Sequence, residues 1–423
     1  MTDPIISAEM SFPAGAAIGT IMTLDDPARG KLDTATLAAP EVWVDVTPWL
    51  RSFKIKRGVS RATSPILRYE PGKASLVLDN RDRRFDPENL DGPYVAAGIT
   101  QVTPMRAVRI RATWDGITYD LFRGYIDDWD ITWEDPDSQA VALCTDAFKV
   151  LAKADREALL SPVGAGEMSG ARIHRILDGI DWPATDRIIG VGNVTVQETS
   201  LGGKALEELQ LTSDSDIGEL YIDGAGRVVF RGRFASVLED RSNLPQGVFG
   251  DLPGELPYKY DGLKNRYSDE QLVNLARIGR VGGTVQVVQD AASIERFLEQ
   301  PYEKTNLIME SDSDALGYAA WIVSISRDPE LHFDSMIIEP PHSPDLLYPH
   351  ALGREIGDRI TVIRRPPGGG DPIERDVWIR GMEHEWKPKD WRTTWAFQSA
   401  SKTVHLLVLD DPDLGQLDNT ALA

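Results

Sequence analysis

Hydrophobic and polar residues alternate over much of residues 41–150, which is the pattern of β-strands with one buried face. The clearest stretch runs from Arg106 to Trp133. An Asp-Gly pair at Asp115–Gly116 interrupts the alternation and is typical of a two-residue hairpin turn. The pattern predicts two antiparallel strands, with buried positions at Val108, Ile110, Ala112 and Trp114 before the turn and at Ile117, Tyr119 and Leu121 after it.

Two further alternating segments, at residues 73–80 and 138–147, predict strands on either side of this hairpin. The polar, turn-rich residues 81–94 between them predict a long surface loop. Several short strands separated by turns are typical of a small barrel or sandwich. We therefore expect residues 41–155 to form a first β-barrel domain.

The spacing of apolar residues becomes helical in the next part of the chain, residues 156–255. One helix is predicted to begin with Ser169 as its N-cap and to end before Pro183, with a buried face at Ile173, Ile176, Leu177 and Ile180. A second helix is predicted over residues 202–216, with Leu206, Leu209 and Gln210 at helical spacing. Asp223–Gly226 then predicts a hairpin turn. These elements indicate a small α+β middle domain.

Strand patterns return in residues 256–403, which we expect to form a second barrel-like domain with one helix. Gly282–Gly283 predicts a hairpin turn, and the glycine-proline run at residues 364–372 predicts a turn or loop. The helix follows a cap at Asp312 or Ser313 and stops at Pro329. Its predicted buried stripe consists of Leu316, Ala319, Ala320 and Val323.

Charge and composition narrow the functional classes. The chain has 423 residues and a formal net charge of −21, which argues against sequence-independent binding of DNA or RNA. Its single cysteine, Cys144, excludes an intramolecular disulfide framework and favours folding in a reducing cytosol. No apolar run is long enough to predict a membrane span.

Two basic stretches stand out in this acidic chain, at residues 51–61 and 80–85. They contain five and three cations respectively. Two interpretations are open: solvated strand faces, or a surface that docks on an acidic partner such as a second copy of the chain.

We find no catalytic or metal-binding pattern. His384 begins His-Glu-Trp, but Pro388 occupies the position where a zinc-binding helix would have its second histidine. The six histidines lack ligand spacing, and one cysteine excludes a thiolate zinc site. The repeated Ser-Asp-Ser-Asp, at residues 213–216 and 311–314, is better explained by helix capping and a helix-to-strand loop than by calcium. We therefore expect no enzyme activity, no metal and no cofactor.

The eleven tryptophans are expected mainly in the core, with sugar binding or subunit contacts as the alternative.

A resemblance to a known family comes from longer segments. The segments "LDNRDRRFDP" (residues 78–87) and "LFRGYIDDW" (residues 121–129) are its most specific parts. Together with "VDVTPWLRSFKIKRGVSR" and later matches, they make residues 41–403 similar to minor tail proteins of siphophages that infect actinobacteria. Those proteins resemble the tail-tip or baseplate hub family of long-tailed phages.

The resemblance implies a structural virion protein with two small, tail-tube-like β-barrels and α+β insertions. It implies a homotrimeric ring at the distal end of the tail, made and assembled in the host cytoplasm, through whose lumen the genome can pass. The implied partners are the distal tail protein or tail tube, the tape measure protein, and other minor tail proteins or fibres. Two alternatives remain: a hexameric distal tail ring protein, and a tail module that binds host glycans.

The chain also carries one short peptide twice. With Leu24 set on Leu409, 9 of 15 positions are identical, in the pattern L-D-D-P-x-x-G-x-L-D-x-x-x-L-A. We expect the two copies to lie in extended arms, residues 1–40 and 404–423, that bind equivalent surfaces on the two barrels. The candidate interaction residues are Leu24, Asp25, Asp26, Pro27, Gly30 and Leu32 in the first arm, and Leu409, Asp410, Asp411, Pro412, Gly415 and Leu417 in the second.

Overall fold

The computed structural model describes residues 3–12, 42–96, 98–134 and 136–400. Strands dominate the first part of the chain, as the alternating pattern predicts. They are β1 (Ile5–Phe12), β2 (Val42–Asp45), β3 (Leu50–Gly58), β4 (Lys73–Asp79), β5 (Val95–Ala96), β6 (Ile99–Thr100), β7 (Ala107–Trp114), β8 (Ile117–Thr132) and β9 (Gln139–Thr145).

Helices and short strands alternate in the middle part. They are α1 (Phe148–Lys153), β10 (Asp155–Arg156), β11 (Glu167–Met168), α2 (Ser169–Asp178), β12 (Arg187–Ile189), β13 (Thr195–Val196), β14 (Gly203–Lys204), α3 (Ala205–Asp216), β15 (Glu219–Ile222), β16 (Val228–Arg231), α4 (Ala235–Leu238) and α5 (Asp240–Asn243). The predicted hairpin is present, since β15 and β16 pair antiparallel on either side of Asp223–Gly226.

Strands predominate again in the last part of the chain. The elements are β17 (Val248–Gly250), β18 (Leu256–Pro257), β19 (Lys264–Tyr267), β20 (Leu275–Arg280), β21 (Gln286–Gln289), α6 (Ala291–Phe297), β22 (Pro301–Leu307), α7 (Asp312–Ser326), β23 (Leu331–Ile338), α8 (Pro344–Gly353), β24 (Arg359–Arg364), β25 (Ile373–Lys387) and β26 (Asp390–Ser399).

Two sets of six strands share one spatial order. The first set runs β1-β7-β8-β9-β4-β3 and the second runs β17-β24-β25-β26-β23-β19. Numbered by their place in the chain, the strands of both sets follow the order first, fourth, fifth, sixth, third, second. The sets differ at one end, because β1 pairs antiparallel with β7 whereas β17 pairs parallel with β24. The chain therefore contains two halves with the same spatial order of six strands.

The two sets are joined into one 14-stranded sheet through β3 and β25. The 15-residue β25 is long enough to pair with two strands along one edge. Its first part pairs with β24, and its later residues Gly381–Trp386 pair antiparallel with Phe53–Gly58 of β3. Among the described strands no pairing closes either set into a barrel, so the structure supports a β-rich fold with two sheet-based halves.

Side chains beneath these sheets and between the helices form four hydrophobic clusters. One cluster lies under each strand set, and Trp395 is fully buried in the second. A third joins α1, α2 and α3 to β15 and β16. The fourth packs α7 against β20 and β22. Residues 256–403, predicted as one unit, contribute to three clusters, since Tyr348, Leu352 and Trp391 belong to the first.

The predicted helices are present, with corrections in detail. In α2, Ser169 is the first helical residue and not the cap, and the helix ends at Asp178, well before Pro183. In α7 the cap is Ser311, whose hydroxyl accepts from the Asp314 amide at 3.1 Å. Its buried side contains Ala315, Tyr318, Ala319, Ile322 and Val323, while Leu316 and Ala320 are exposed. The predicted buried face is therefore displaced around the helix axis from the observed one, which includes Tyr318 and Ile322.

The first Ser-Asp-Ser-Asp forms the last turn of α3 and not a loop. Ile117 is likewise exposed and not buried.

Candidate interaction surface

The joint between β3 and β25 brings opposite charges together on the outer face of the sheet. In a strand, alternate residues point to the same face, so Lys54 and Lys56 lie outward while Phe53 and Ile55 are buried. The Lys54 Nζ lies 2.8 Å from a Glu383 carboxylate oxygen and 2.7 Å from one of Glu385. Hydrogen bonds to Glu383 and Glu385 raise the pKa of Lys54, and the bond from Lys54 lowers the pKa of Glu385.

Aromatic rings and glycines close the inner side of this joint. Phe53 stacks on Trp386, with ring centroids 5.2 Å apart. Two glycines let the backbones approach: a Cβ on Gly381 would lie 1.9 Å from the carbonyl oxygen of Val59, and one on Gly58 would lie 2.3 Å from that of Arg380. Neither position can hold a larger residue without moving the backbone.

A buried ion pair lies beside the joint. Arg57 is 3% exposed, and its two terminal nitrogens donate to Glu355 over 2.8 and 3.1 Å. Burial disfavours the charge of Arg57, but the Glu355 carboxylate outweighs it and the pKa of Arg57 is raised. The Arg57 pair therefore ties β3 to the loop between α8 and β24.

The contacts of the basic stretch at residues 51–61 match neither of the two interpretations in full. The acidic partner of this stretch lies in the same chain: Lys54 and Arg57 pair with the second half, and Arg61 contacts Glu270 and Asp334 there. In the stretch at residues 80–85, the cations pair locally, Arg81 with Asp79, Arg83 with Asp86 and Arg84 with Asp82.

Several strand edges of the sheet lack a strand partner among the described residues, including those of the end strands β2 and β18. Two of these edges correspond to the strands of the β3–β25 joint. The first is β19, which pairs with β23 on one side only and whose four residues are all exposed. The second is the later part of β8. Ile117–Tyr125 of this strand pairs with β7, but beyond Ile126 the same edge faces no strand. There the amide N–H of Trp129 donates to the Asp128 carboxylate at 2.9 Å. Both edges offer backbone groups for pairing with a further chain.

Two solved structures resemble this chain over almost its whole length. One is the tail protein from Neisseria meningitidis MC58, with a TM-score of 0.58 and 10% sequence identity, matching 94% of this chain and 97% of that chain. The other is the 43 kDa tail protein of prophage MuSo2 from Shewanella oneidensis, with a TM-score of 0.52 and 14% identity over 94% and 97%. The chain has the fold of these two tail proteins. No protein-family model and no curated protein matches its sequence.

A pocket lies between the 14-stranded sheet, the middle part and α7, with an empty volume of about 960 Å³ that includes open solvent. Trp321 and Trp378 line it, and the Arg380 guanidinium there contacts Glu219 and donates to Gln398 at 2.9 Å. Its described lining contains neither histidine nor cysteine. The paired charges indicate a packing contact between parts of the chain.

The described residues contain no group of three or more histidine, cysteine, aspartate or glutamate side chains placed to hold a metal ion. Within the same ranges, no helix combines the length and apolar character of a membrane span.

Both copies of the repeated peptide, including all twelve candidate interaction residues, lie outside the described residues. Within the predicted first arm, Ile5–Phe12 is described and forms β1 of the sheet. The most informative surface residues, those of β19 and the free part of β8, were missed at the level of sequence. A second repeat could have revealed that β8 corresponds to β25. Arg-Gly-x-x-x-x-Trp occurs at Arg123–Trp129 in β8 and at Arg380–Trp386 in β25, the fifth strand of each set.

The buried His384 and the half-buried His350 should make the chain less stable in acid. Burial lowers the pKa of His384 to about 3 and that of His350 to about 4, and nearby arginines add to both effects. Because the unfolded chain binds these protons near pH 6.5, the stabilisation is complete above that pH and is lost as pH falls toward 3 to 4. Urea unfolding measures the free energy of unfolding at pH 7 and at pH 5. Its decrease between these two pH values should be about 2 kcal/mol smaller in His384→Gln than in the wild type.

His342 provides the matched control, since its side chain is 78% exposed. The variant His342→Gln should keep the pH dependence of the wild type. An unchanged pH dependence in His384→Gln would contradict the buried, neutral state of this ring.

Proposed function

We propose that this chain is a structural protein of a phage tail and serves as the hub that closes the distal end of the tail tube. The observation that carries the proposal is the duplicated strand order within a fold shared with two tail proteins over 94% of the chain. A duplicated subunit suits a hub, since three copies present six similar units to a tube of sixfold symmetry. No catalytic step is part of this role.

In this proposal the hub is a homotrimer in the virion, assembled in the host cytoplasm. Its two sheet-based halves complete small barrels in the ring. It contacts the distal tail ring and tail tube above, the tape measure protein in the lumen, and other minor tail proteins or fibres below. Packing of the two halves through the β3–β25 joint supports a rigid subunit, which a ring under mechanical load requires.

Imaging of the assembled particle tests this function. Electron microscopy of virions that carry a tagged copy of the chain should place three copies at the distal end of the tail. Six copies would favour the alternative of a distal tail ring protein. Absence of the chain from purified virions would contradict the proposed role as a structural protein of the tail.

We further propose that the two arms bind equivalent surfaces on the two halves. Support comes from the shared peptide and from the shared strand order, which gives each half the same arrangement of edges. Photo-crosslinkers at Leu32 and Leu417 in the full chain should attach to corresponding strands of the two sets. Attachment to unrelated surfaces would contradict the proposal.

A further inference from the structure

The joint between β3 and β25 provides a template for a contact between copies. It pairs the second strand of one set with the fifth strand of the other set. The second strand contributes lysines at its outer face, and the fifth contributes glutamates, with Lys54 bonded to both Glu383 and Glu385. The fifth strand offers this edge because it extends beyond its hairpin partner β24.

The counterpart of β3 in the second set is β19. It carries Lys264 and Arg266, and all four of its residues are exposed. Arg266 is held by Asp334 at 2.9 Å, whereas Lys264 pairs with no carboxylate in the described part of the chain. β19 is thus a short basic strand with one edge bonded to β23 and the other open.

The counterpart of β25 in the first set is β8. Like β25, it extends beyond its hairpin partner, here β7. The extension carries Asp127, Asp128 and Asp130, and the last two are exposed. The strand also contains a register shift between Ile126 and Asp128, as β25 does between Ile379 and Gly381. The free part of β8 is therefore an acidic edge of the same kind as the one that β25 offers to β3.

The two free edges lie on different halves and do not meet within the chain. Between β19 and β8 the sheet contains β23, β26, β25, β3, β4 and β9. A second copy can supply the missing partner. In each copy β3 already pairs with β25, whereas β19 and the free part of β8 remain open to a neighbour. Pairing of β19 with β8 of the next copy is a head-to-tail contact, which closes into a ring when its rotation allows.

We propose that β19 of one copy pairs antiparallel with the free part of β8 (Asp127–Thr132) of the next copy, repeating between subunits the joint that β3 and β25 make within one. The bond places the exposed Lys264 beside Asp128 or Asp130 of the neighbour. Opposite charges on facing strands stabilise such a pairing, and like charges oppose it. This inference rests on the proposed function for the number of copies, but its strand contact stands on the structure alone.

Charge reversal tests the contact in solution. Lys264→Glu and the pair Asp128→Lys with Asp130→Lys should each raise the concentration for half-assembly at least tenfold, as measured by mass photometry and sedimentation. The triple variant should restore assembly, since the charges again complement each other. Lys153→Glu, at an exposed site on α1, is the control and should assemble as the wild type does.

Engineered disulfides test the strand pairing directly. Cys144 is buried, so it gives little background. Lys264→Cys combined with Asp128→Cys or with Asp130→Cys should yield cross-linked oligomers on oxidation. Lys264→Cys with Leu160→Cys, at a fully exposed distant site, should yield none. A chain that stays monomeric at high micromolar concentration and forms no cross-link would overturn the proposal, as would oligomers that ignore both charge reversals.

These results separate the interface from the function. If three copies lie at the tail tip but the charge reversals leave assembly unchanged, the β19–β8 contact is contradicted and the hub function is supported. If rings depend on Lys264 but the chain is absent from virions, the contact is supported and the hub function is contradicted.

Discussion

Replacement of Gly381 by alanine should destabilise the chain by about 3 kcal/mol or more. The new Cβ would lie 1.9 Å from the carbonyl oxygen and 2.9 Å from the carbonyl carbon of Val59. Both atoms belong to backbone that continues β3, so no flexible side chain can move to make room. The backbones must separate at the place where the two halves are joined, and the Lys54 ion pairs and the Phe53–Trp386 stack weaken with them.

The same replacement at Gly317 is the matched control. Gly317 is an exposed residue inside α7, and a Cβ there would meet no atom within 4 Å. Because glycine lowers helix stability relative to alanine, Gly317→Ala should stabilise the chain by about 0.5 to 1 kcal/mol. Urea unfolding of both variants measures the contrast. Equal effects at the two sites would show that the backbones at the joint are not in close contact.

Removal of the Glu355 carboxylate should have an effect of similar size. In Glu355→Ala the guanidinium of Arg57 stays buried and loses its two hydrogen bonds, so a charge without its partner remains in the interior. Breaking one side of a buried ion pair typically costs about 3 to 5 kcal/mol. The carboxylate of Asp223 also acts on Arg57 and keeps the expected loss toward the lower end of this range.

A double variant distinguishes two quantities: the destabilisation caused by an unpaired buried charge, and the net contribution of the ion pair to the free energy of unfolding. Arg57→Met with Glu355→Gln removes both charges and retains most of the volume. It should therefore be more stable than Glu355→Ala by about 2 kcal/mol. If the double variant were the less stable of the two, the Arg57–Glu355 pair itself would contribute more to folding than its desolvation costs.

Local pattern predicted the local structure well. The Asp115–Gly116 turn is present, and both residues have the positive φ angles, 48° and 77°, that a two-residue hairpin turn requires. Val108, Ile110 and Ala112 are buried on one face of β7. In α2 the predicted face is also correct at Ile173, Ile176 and Leu177, which are fully buried. These features depend on residues close together in sequence, where spacing alone determines which side chains share a face.

Pairing over long distances could not be predicted in this way. Lys54 and Glu385 form an ion pair across 331 positions, and no periodicity links two strands so far apart. The basic residues of β3 could therefore be recognised as unusual, but their partner could not be identified. Composition also does not show whether a loop packs against the core. Residues 81–94 are polar, yet Phe85 within them is fully buried and stacks on Trp129.

The candidate surface was only partly accessible from sequence. The repeated terminal peptide attracts attention because its identity is high, and its role stays a prediction. The weaker repeat, Arg-Gly-x-x-x-x-Trp, preserves few residues but marks equivalent positions in β8 and β25. Both of its glycines lie at crowded positions: a Cβ on Gly124 would lie 2.5 Å from the carbonyl oxygen of Thr145, and one on Gly381 would lie 1.9 Å from that of Val59. Close backbone contact therefore requires a glycine at the same position of both segments.

The dependence of β3 on β25 has a consequence for biosynthesis. A nascent chain emerging from the ribosome exposes the open edge of β3 until nearly the whole protein has been made, because its partner comes more than 300 residues later. Contacts of such high sequence separation slow folding and prolong the exposure of unpaired backbone. Translation that stops short of β25 should thus release fragments prone to aggregate, and chaperone dependence should be strongest for chains truncated between β24 and β25.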